Sequence, residues 1–147
     1  MTSTSTWQLL DDARFELTFR YPDPTPRGQQ AHVVPGAYGE YERIHVLSED
    51  RELYVEVVRV PPMSAEEEYR THAAYLGERF GPDAVGALGH TTIAGRAAQA
   101  YRFRWPEGER TAIVVSTAGA TYRIIYNSAS ALNEDVLATL AFRAGVL

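Results

Sequence analysis

Apolar and polar residues alternate through most of the chain, and the alternation is broken only at short runs of Gly, Pro, Asp and Ser. Phe15, Leu17, Phe19 and Tyr21 fall on one side of such a segment, with Glu16, Thr18 and Arg20 on the other. Period two with one apolar face predicts a half-buried strand. A short strand from Trp7 to Leu10 precedes it and ends at Asp11-Asp12; His32 to Val34 forms a brief one stopped by Pro35-Gly36. Pro22 to Gln30, rich in proline, reads as a loop. Glu40 to Leu47 sets Glu42, Ile44 and Val46 against Tyr41, Arg43, His45 and Leu47. Glu52 to Val60 sets Leu53, Val55 and Val57 against Tyr54, Glu56 and Val58, and the polar turn at Ser48–Arg51 joins the two runs as an antiparallel hairpin.

The period then changes. Pro61-Pro62 stops the sheet, and Ser64 with Glu67 has the spacing of a capping box, hydroxyl and carboxylate each taking one orphan N–H. Glu66, Glu67 and Glu68 lie at the positive end of the helix dipole. Tyr69, Ala73, Leu76 and Phe80 recur as one apolar stripe until Gly81-Pro82 ends the helix. A meander follows: Leu88–Ile93, a tight turn at Ala94-Gly95, Ala97–Trp105, Arg110–Thr117 and Ala120–Asn127, with Asn133 capping a last helix that carries Val136, Leu137, Leu140 and Ala141. Strands, helix, strands, helix predict one α+β domain over residues 7–147, an antiparallel β-sheet flanked by helices, behind a flexible segment at 1–6.

Composition narrows the function. At 147 residues the chain has one domain's length, and 45% hydrophobic with 22% charged residues is the balance of a folded globule. Acidic residues (19) outnumber basic ones (14), a net charge of −5 that argues against nucleic-acid binding and against adsorption to anionic lipid. All basic residues are arginine, so lysine-amine catalysis is excluded, and without cysteine so are thiol nucleophiles, disulfides and thiolate-bound zinc. The opening residues lack the basic and apolar regions of a secretory signal, and no run is long enough to span a membrane; the expectation is a cytoplasmic protein without membrane insertion.

The zincin, nucleophile-elbow, P-loop and dinucleotide-binding spacings are absent. Histidines 32, 45, 72 and 90 are well separated; Glu68 and His72 lie one helical turn apart but read as an exposed charge pair, with no third ligand nearby. Asp11-Asp12, Glu107 with Glu109, and Glu66–Glu68 read as solvated acids. Neither a catalytic residue, a metal site nor a cofactor is expected, and the chain reads as no enzyme. The candidate that remains is a set of arginines. Arg102 and Arg104 oppose Tyr101, Phe103 and Trp105, and Arg123 opposes Tyr122, Ile124 and Tyr126; on neighbouring strands the three guanidiniums would share a sheet face. Glu56 and Tyr54, or Arg43 and His45, join it depending on strand order. Such a face suits a carboxylate, a phosphate or an acidic peptide, or is simply the solvent side of the sheet. Tyr38 and Tyr41, with Tyr21, flank the loops at 22–30 and 35–39, where aromatics serve partner binding or equally cover the edge of a core.

Phe15 to Asp23 (Phe-x-Leu-x-Phe-x-Tyr-Pro-Asp), the Ser64 helix with Tyr69, Thr91 to Tyr101 (Thr-Thr-Ile-Ala-Gly-Arg-Ala-Ala-x-Ala-Tyr) and the closing Leu137 to Phe142 together resemble the PsbP-like superfamily. The resemblance spans nearly the whole chain and implies an α-β-α sandwich on an antiparallel sheet. It also implies a non-enzymatic scaffold, since relatives include a photosystem subunit, a Ran-binding protein, bacterial lipoproteins and adaptor chaperones. It carries over no catalytic residues. The expectation is a protein-binding or adaptor module with an unknown protein partner and an open oligomeric state, using Arg102, Arg104, Arg123, Tyr38 and Tyr41. The alternatives are a chaperone or carrier for apolar segments and an enzyme acting on an anionic small molecule.

Overall fold

Along the chain of the computed structural model, which describes residues 6–143, run β1 (Thr6–Leu10), β2 (Leu17–Asp23), β3 (Ala31–Tyr38), β4 (Tyr41–Ser48), β5 (Tyr54–Val60), α1 (Ala65–Phe80), β6 (Gly89–Ile93), β7 (Arg96–Trp105), β8 (Gly108–Ser116), β9 (Thr121–Asn127), α2 (Ala131–Leu137) and β10 (Ala141–Phe142). The fold is α+β. Seven strands form one antiparallel sheet in the order β3-β4-β5-β9-β8-β7-β6, and β1-β2-β10 form a smaller one. The chain enters the large sheet by the β3–β4–β5 meander, leaves it for α1, and returns at the far edge, so β9 closes against β5.

Alternation gives the large sheet two apolar faces. Ile44, Val46, Val55, Val57, Ile113, Val115, Tyr122 and Ile124 pack with Leu17 and Phe19 of the small sheet, with Phe15 just before it and with Val136 and Leu137 of α2. On the opposite face Tyr101, Phe103, Ala112, Val114 and Ile125 meet Leu76 of α1. That helix lies over β7 and β8 and leaves the β4–β5 half of its face uncovered. Its position is fixed at both ends. Ser64 Oγ accepts from Glu67 N at 3.1 Å, and Gly81, at φ 103° where a side chain would be strained, closes the C-terminus on the Gly77 carbonyl. Thr121 Oγ1 both donates to the Met63 carbonyl (2.8 Å) and accepts from the Met63 N–H (3.0 Å), tying the linker before the helix to β9.

Several boundaries differ from the sequence reading. β3 runs on through Pro35, because it is an edge strand and only one side of it is paired. β2 likewise runs through Pro22 to Asp23, where β1 is its one neighbour. Thr6 opens β1 rather than belonging to a loose segment; residues 1–5 lie outside those described. α2 begins at Ala131 after Ser130, so Asn133 is inside the helix instead of capping it, and Ala141 pairs with Thr18 in β10 instead of extending the helix. No helix among the described residues is long and apolar enough to cross a membrane.

Candidate functional site

The three arginines expected on one face are divided between two. Strand pairing sets Phe103 against Arg110 and Arg110 against Asn127, while Arg102 pairs with Thr111 and Thr111 with Tyr126. Paired residues share a face, so Arg102 and Arg104 point with Tyr126, away from α1, and Arg123 points with Tyr101 and Phe103. Arg102 is exposed, its side chain 73% accessible and 3.7 Å from Glu109; Arg104 is exposed as well. The stripe Tyr122, Ile124 and Tyr126 lies on the face opposite Tyr101, Phe103 and Trp105, and treating the two stripes as one put Arg123 on the wrong side.

Arg123 instead joins a network under α1. Glu68 is only 3% exposed, and Arg123 Nη1 donates to its Oε1. The Tyr101 hydroxyl donates to Glu68 Oε2 at 3.3 Å and lies 2.5 Å from His72 Nδ1. With its one proton given to Glu68, that hydroxyl accepts from Nδ1–H, which assigns the lone pair of His72 to Nε2. Burial, and then the Arg123 charge, push the His72 pKa down to about 3; burial, and then Glu68, push that of Tyr101 up. Burial works against the Arg123 charge, but Glu68 and Tyr101 outweigh it and raise the Arg123 pKa. Glu68 and His72 therefore face the sheet, where an exposed pair was expected, while Glu66 and Glu67 are the solvated acids of that turn.

Between this network and the uncovered strands lies an open groove of about 520 Å³. Thr71, His72 and Tyr75 of α1 form one wall, and Tyr41, Arg43 and His45 of β4 the other. Glu56 on the floor takes His45 Nε2 at 2.9 Å and Arg43 Nη1 at 3.6 Å. Tyr54 closes one end, its pKa raised to about 12 by burial and by Glu56. Over its ring, 4.6 Å from the centroid, sits the guanidinium of Arg110, a residue only 1% exposed. Arg110 Nη1 reaches the Glu109 carbonyl at 3.4 Å, while Nε and Nη2 are buried without a hydrogen-bond partner among the described residues. Its nearest carboxylate, Glu107, stands 3.9 Å from Nη2, half exposed and also engaged by Arg51 Nε at 3.5 Å. Arg123 Nε is buried and without a hydrogen bond among the described residues too.

Of the expected binding residues, then, the groove holds Arg123 and Tyr41, and it holds Tyr54, Arg43, His45 and Glu56, which were tied to strand order. Arg102 and Arg104 are elsewhere. Tyr38 is on β3, not in a loop, and its side chain lies outside the described residues. Tyr21 is half buried against the larger core. Asp12 is held below its ordinary pKa by hydrogen bonds from Arg14, and Asp11 pairs with Arg143 at 2.5 Å. Glu109 faces Arg102. Among the described residues no cluster of three or more potential metal ligands occurs. Arg110 was missed by the sequence reading, although the signal existed: a turn of Pro106 and Glu107 alone sets Phe103 opposite Arg110. No family model, curated protein or solved structure matches the chain.

Proposed function

We propose that this chain is a non-enzymatic binding module whose groove receives a carboxylate, carried by a free acid or by an acidic segment of a partner protein. The observation that carries the reading is Arg110, a guanidinium 1% exposed at the wall of an open groove, with two nitrogens that make no hydrogen bond among the described residues. A buried charge is costly unless it is paired and hydrogen-bonded, and a bound carboxylate would supply the hydrogen bonds that Glu107, 3.9 Å from Nη2, does not. Two of the titratable side chains at the groove are poorly suited to proton transfer near neutral pH. His72 is pushed down to about 3 and Tyr54 up to about 12, each away from the neutral range in which a general acid or base works. A scaffold role is also what the PsbP-like resemblance implies, and a sheet with helices on both faces is compatible with it.

Titrating the protein with small monocarboxylates and with a glutamate-rich peptide, read by calorimetry and by thermal unfolding, tests this. Binding should be retained by Arg102→Glu and lost from Arg110→Met. Failure of every carboxylate to bind, or undiminished binding by Arg110→Met, overturns the reading.

A further inference from the structure

Resting on the reading just given, we propose that the groove's ligand is a small molecule with a single carboxylate on a flat aromatic body. The geometry of the two nitrogens without hydrogen bonds selects the anion. Nε and Nη2 share one edge of a guanidinium, with their N–H bonds parallel, and that edge meets both oxygens of a carboxylate at once. In Arg110 these two nitrogens lack hydrogen bonds, whereas Nη1 is turned to a backbone carbonyl.

Charge disfavours a dianion. Arg43, Arg110 and Arg123 at the groove are already met by Glu56, Glu107 (3.9 Å from Arg110 Nη2) and the buried Glu68, so the guanidiniums and carboxylates balance and a single carboxylate adds less repulsion beside Glu56 than a phosphate dianion would.

Size and lining select the body. A volume of about 520 Å³ lies in the range of small-molecule sites, roughly 300–1,000 Å³. Seven of the thirteen lining side chains carry phenyl, phenol, indole or imidazole rings. Tyr54 stacks under Arg110, and Phe103 and Trp105, perpendicular at 86°, sit at the same end of the groove. Rings presented at different angles give a planar ligand both faces and edges to pack on.

The test is calorimetric titration of the full chain with 2-naphthoate, 2-naphthamide, hexanoate, inorganic phosphate and the glutamate-rich peptide. The expected result is saturable binding of 2-naphthoate, at least about ten-fold weaker binding of the amide, hexanoate, phosphate and peptide, and about ten-fold or more lost in Arg110→Lys, which keeps the charge without the paired edge. The amide comparison needs no variant, so it decides even if a substitution fails to fold. If hexanoate or the peptide binds as well as 2-naphthoate and depends on Arg110, the aromatic ligand is wrong while carboxylate binding stands. If phosphate binds best, the monoanion is wrong. If the amide matches the acid, or nothing binds, both proposals fall.

Discussion

Arg123 on β9 and Glu68 on α1, 55 residues apart in sequence, form an ion pair where the helix meets the sheet, inside a shell of Tyr101 and His72. Removing one member of a buried pair leaves the other charged and dry, which costs about 3–5 kcal/mol. Glu68→Gln and Arg123→Met should each lower the free energy of unfolding by about that much, measured by urea denaturation. The double variant Glu68→Gln with Arg123→Met should lose clearly less than the two single losses combined, because no charge is left stranded. Arg102→Glu, at an exposed position of the opposite face, should fall within about 0.5 kcal/mol of the parent. Equal losses at Arg102 and Arg123 would contradict the assignment of the two arginines to opposite faces.

Arg110 should behave in the opposite way to Arg123. Its guanidinium is buried with two nitrogens that lack hydrogen bonds among the described residues, so its contacts with Glu107 at 3.9 Å and with the Tyr54 ring offset only part of the cost of leaving water. Arg110→Met keeps the apolar stem and discards that cost. Without ligand, the variant should be as stable as the parent or more stable by about 1 kcal/mol. Arg110→Ala should be less stable than Arg110→Met, since it also removes the packing on Tyr54. A large loss in Arg110→Met would mean that the cation on Tyr54 stabilises the fold itself.

Much of this architecture was legible along the chain. The α1 boundaries follow from Ser64 and Gly81, and the strands from alternation and turn residues. The assignment of Arg102 and Arg123 to one face failed for a tractable reason. Parity must be carried across turns: with Pro106-Glu107 and Ala118-Gly119 as the turn residues, odd positions on β7 share a face with even positions on β8 and odd positions on β9. Arg123 then belongs with Phe103, and Arg110 with both. The burial of Glu68 and His72 was not legible, because helical periodicity is the same for a solvated polar stripe and a buried one. Only partners from other elements, Arg123 and Tyr101, distinguish them. Asn133 misled for a related reason: asparagine is a good helix cap, and its tertiary partners lie up to 81 residues away.

His72 makes stability depend on acidity. Its pKa is about 3 in the folded protein against an ordinary value of 6.5. Between those values the unfolded chain holds the extra proton, so lowering the pH favours unfolding. The contribution is complete above about pH 6.5 and is lost as the pH falls toward 3. One proton corresponds to a slope of up to about 1.4 kcal/mol per pH unit. Urea unfolding of the parent and of His72→Gln at intervals between pH 4 and 7 isolates this term. The parent's stability should fall more steeply with acid than the variant's, and parallel curves would show that His72 is not held neutral by the fold.

Asn133 supplies the last prediction, about how α2 is held to the sheet. Its side chain is fully buried, accepting from Tyr54 N at 2.8 Å and donating to the carbonyls of Glu52 and Asn127 at 2.9 and 3.0 Å. One amide thus satisfies three backbone groups at the entry of β5 and the exit of β9, and β5 carries Tyr54 to the end of the groove. Asn133→Ala leaves those groups without partners, at about 1–3 kcal/mol each before water enters, so a total near 3 kcal/mol is expected. Asn133→Asp keeps the acceptor for Tyr54 N but sets a carboxylate against two carbonyls, and should be no better. Amide exchange localises the effect. In Asn133→Ala the Tyr54 N–H should lose protection well before the Val57 N–H in the middle of β5. Uniform loss across the strand would instead indicate that the whole sheet depends on this residue.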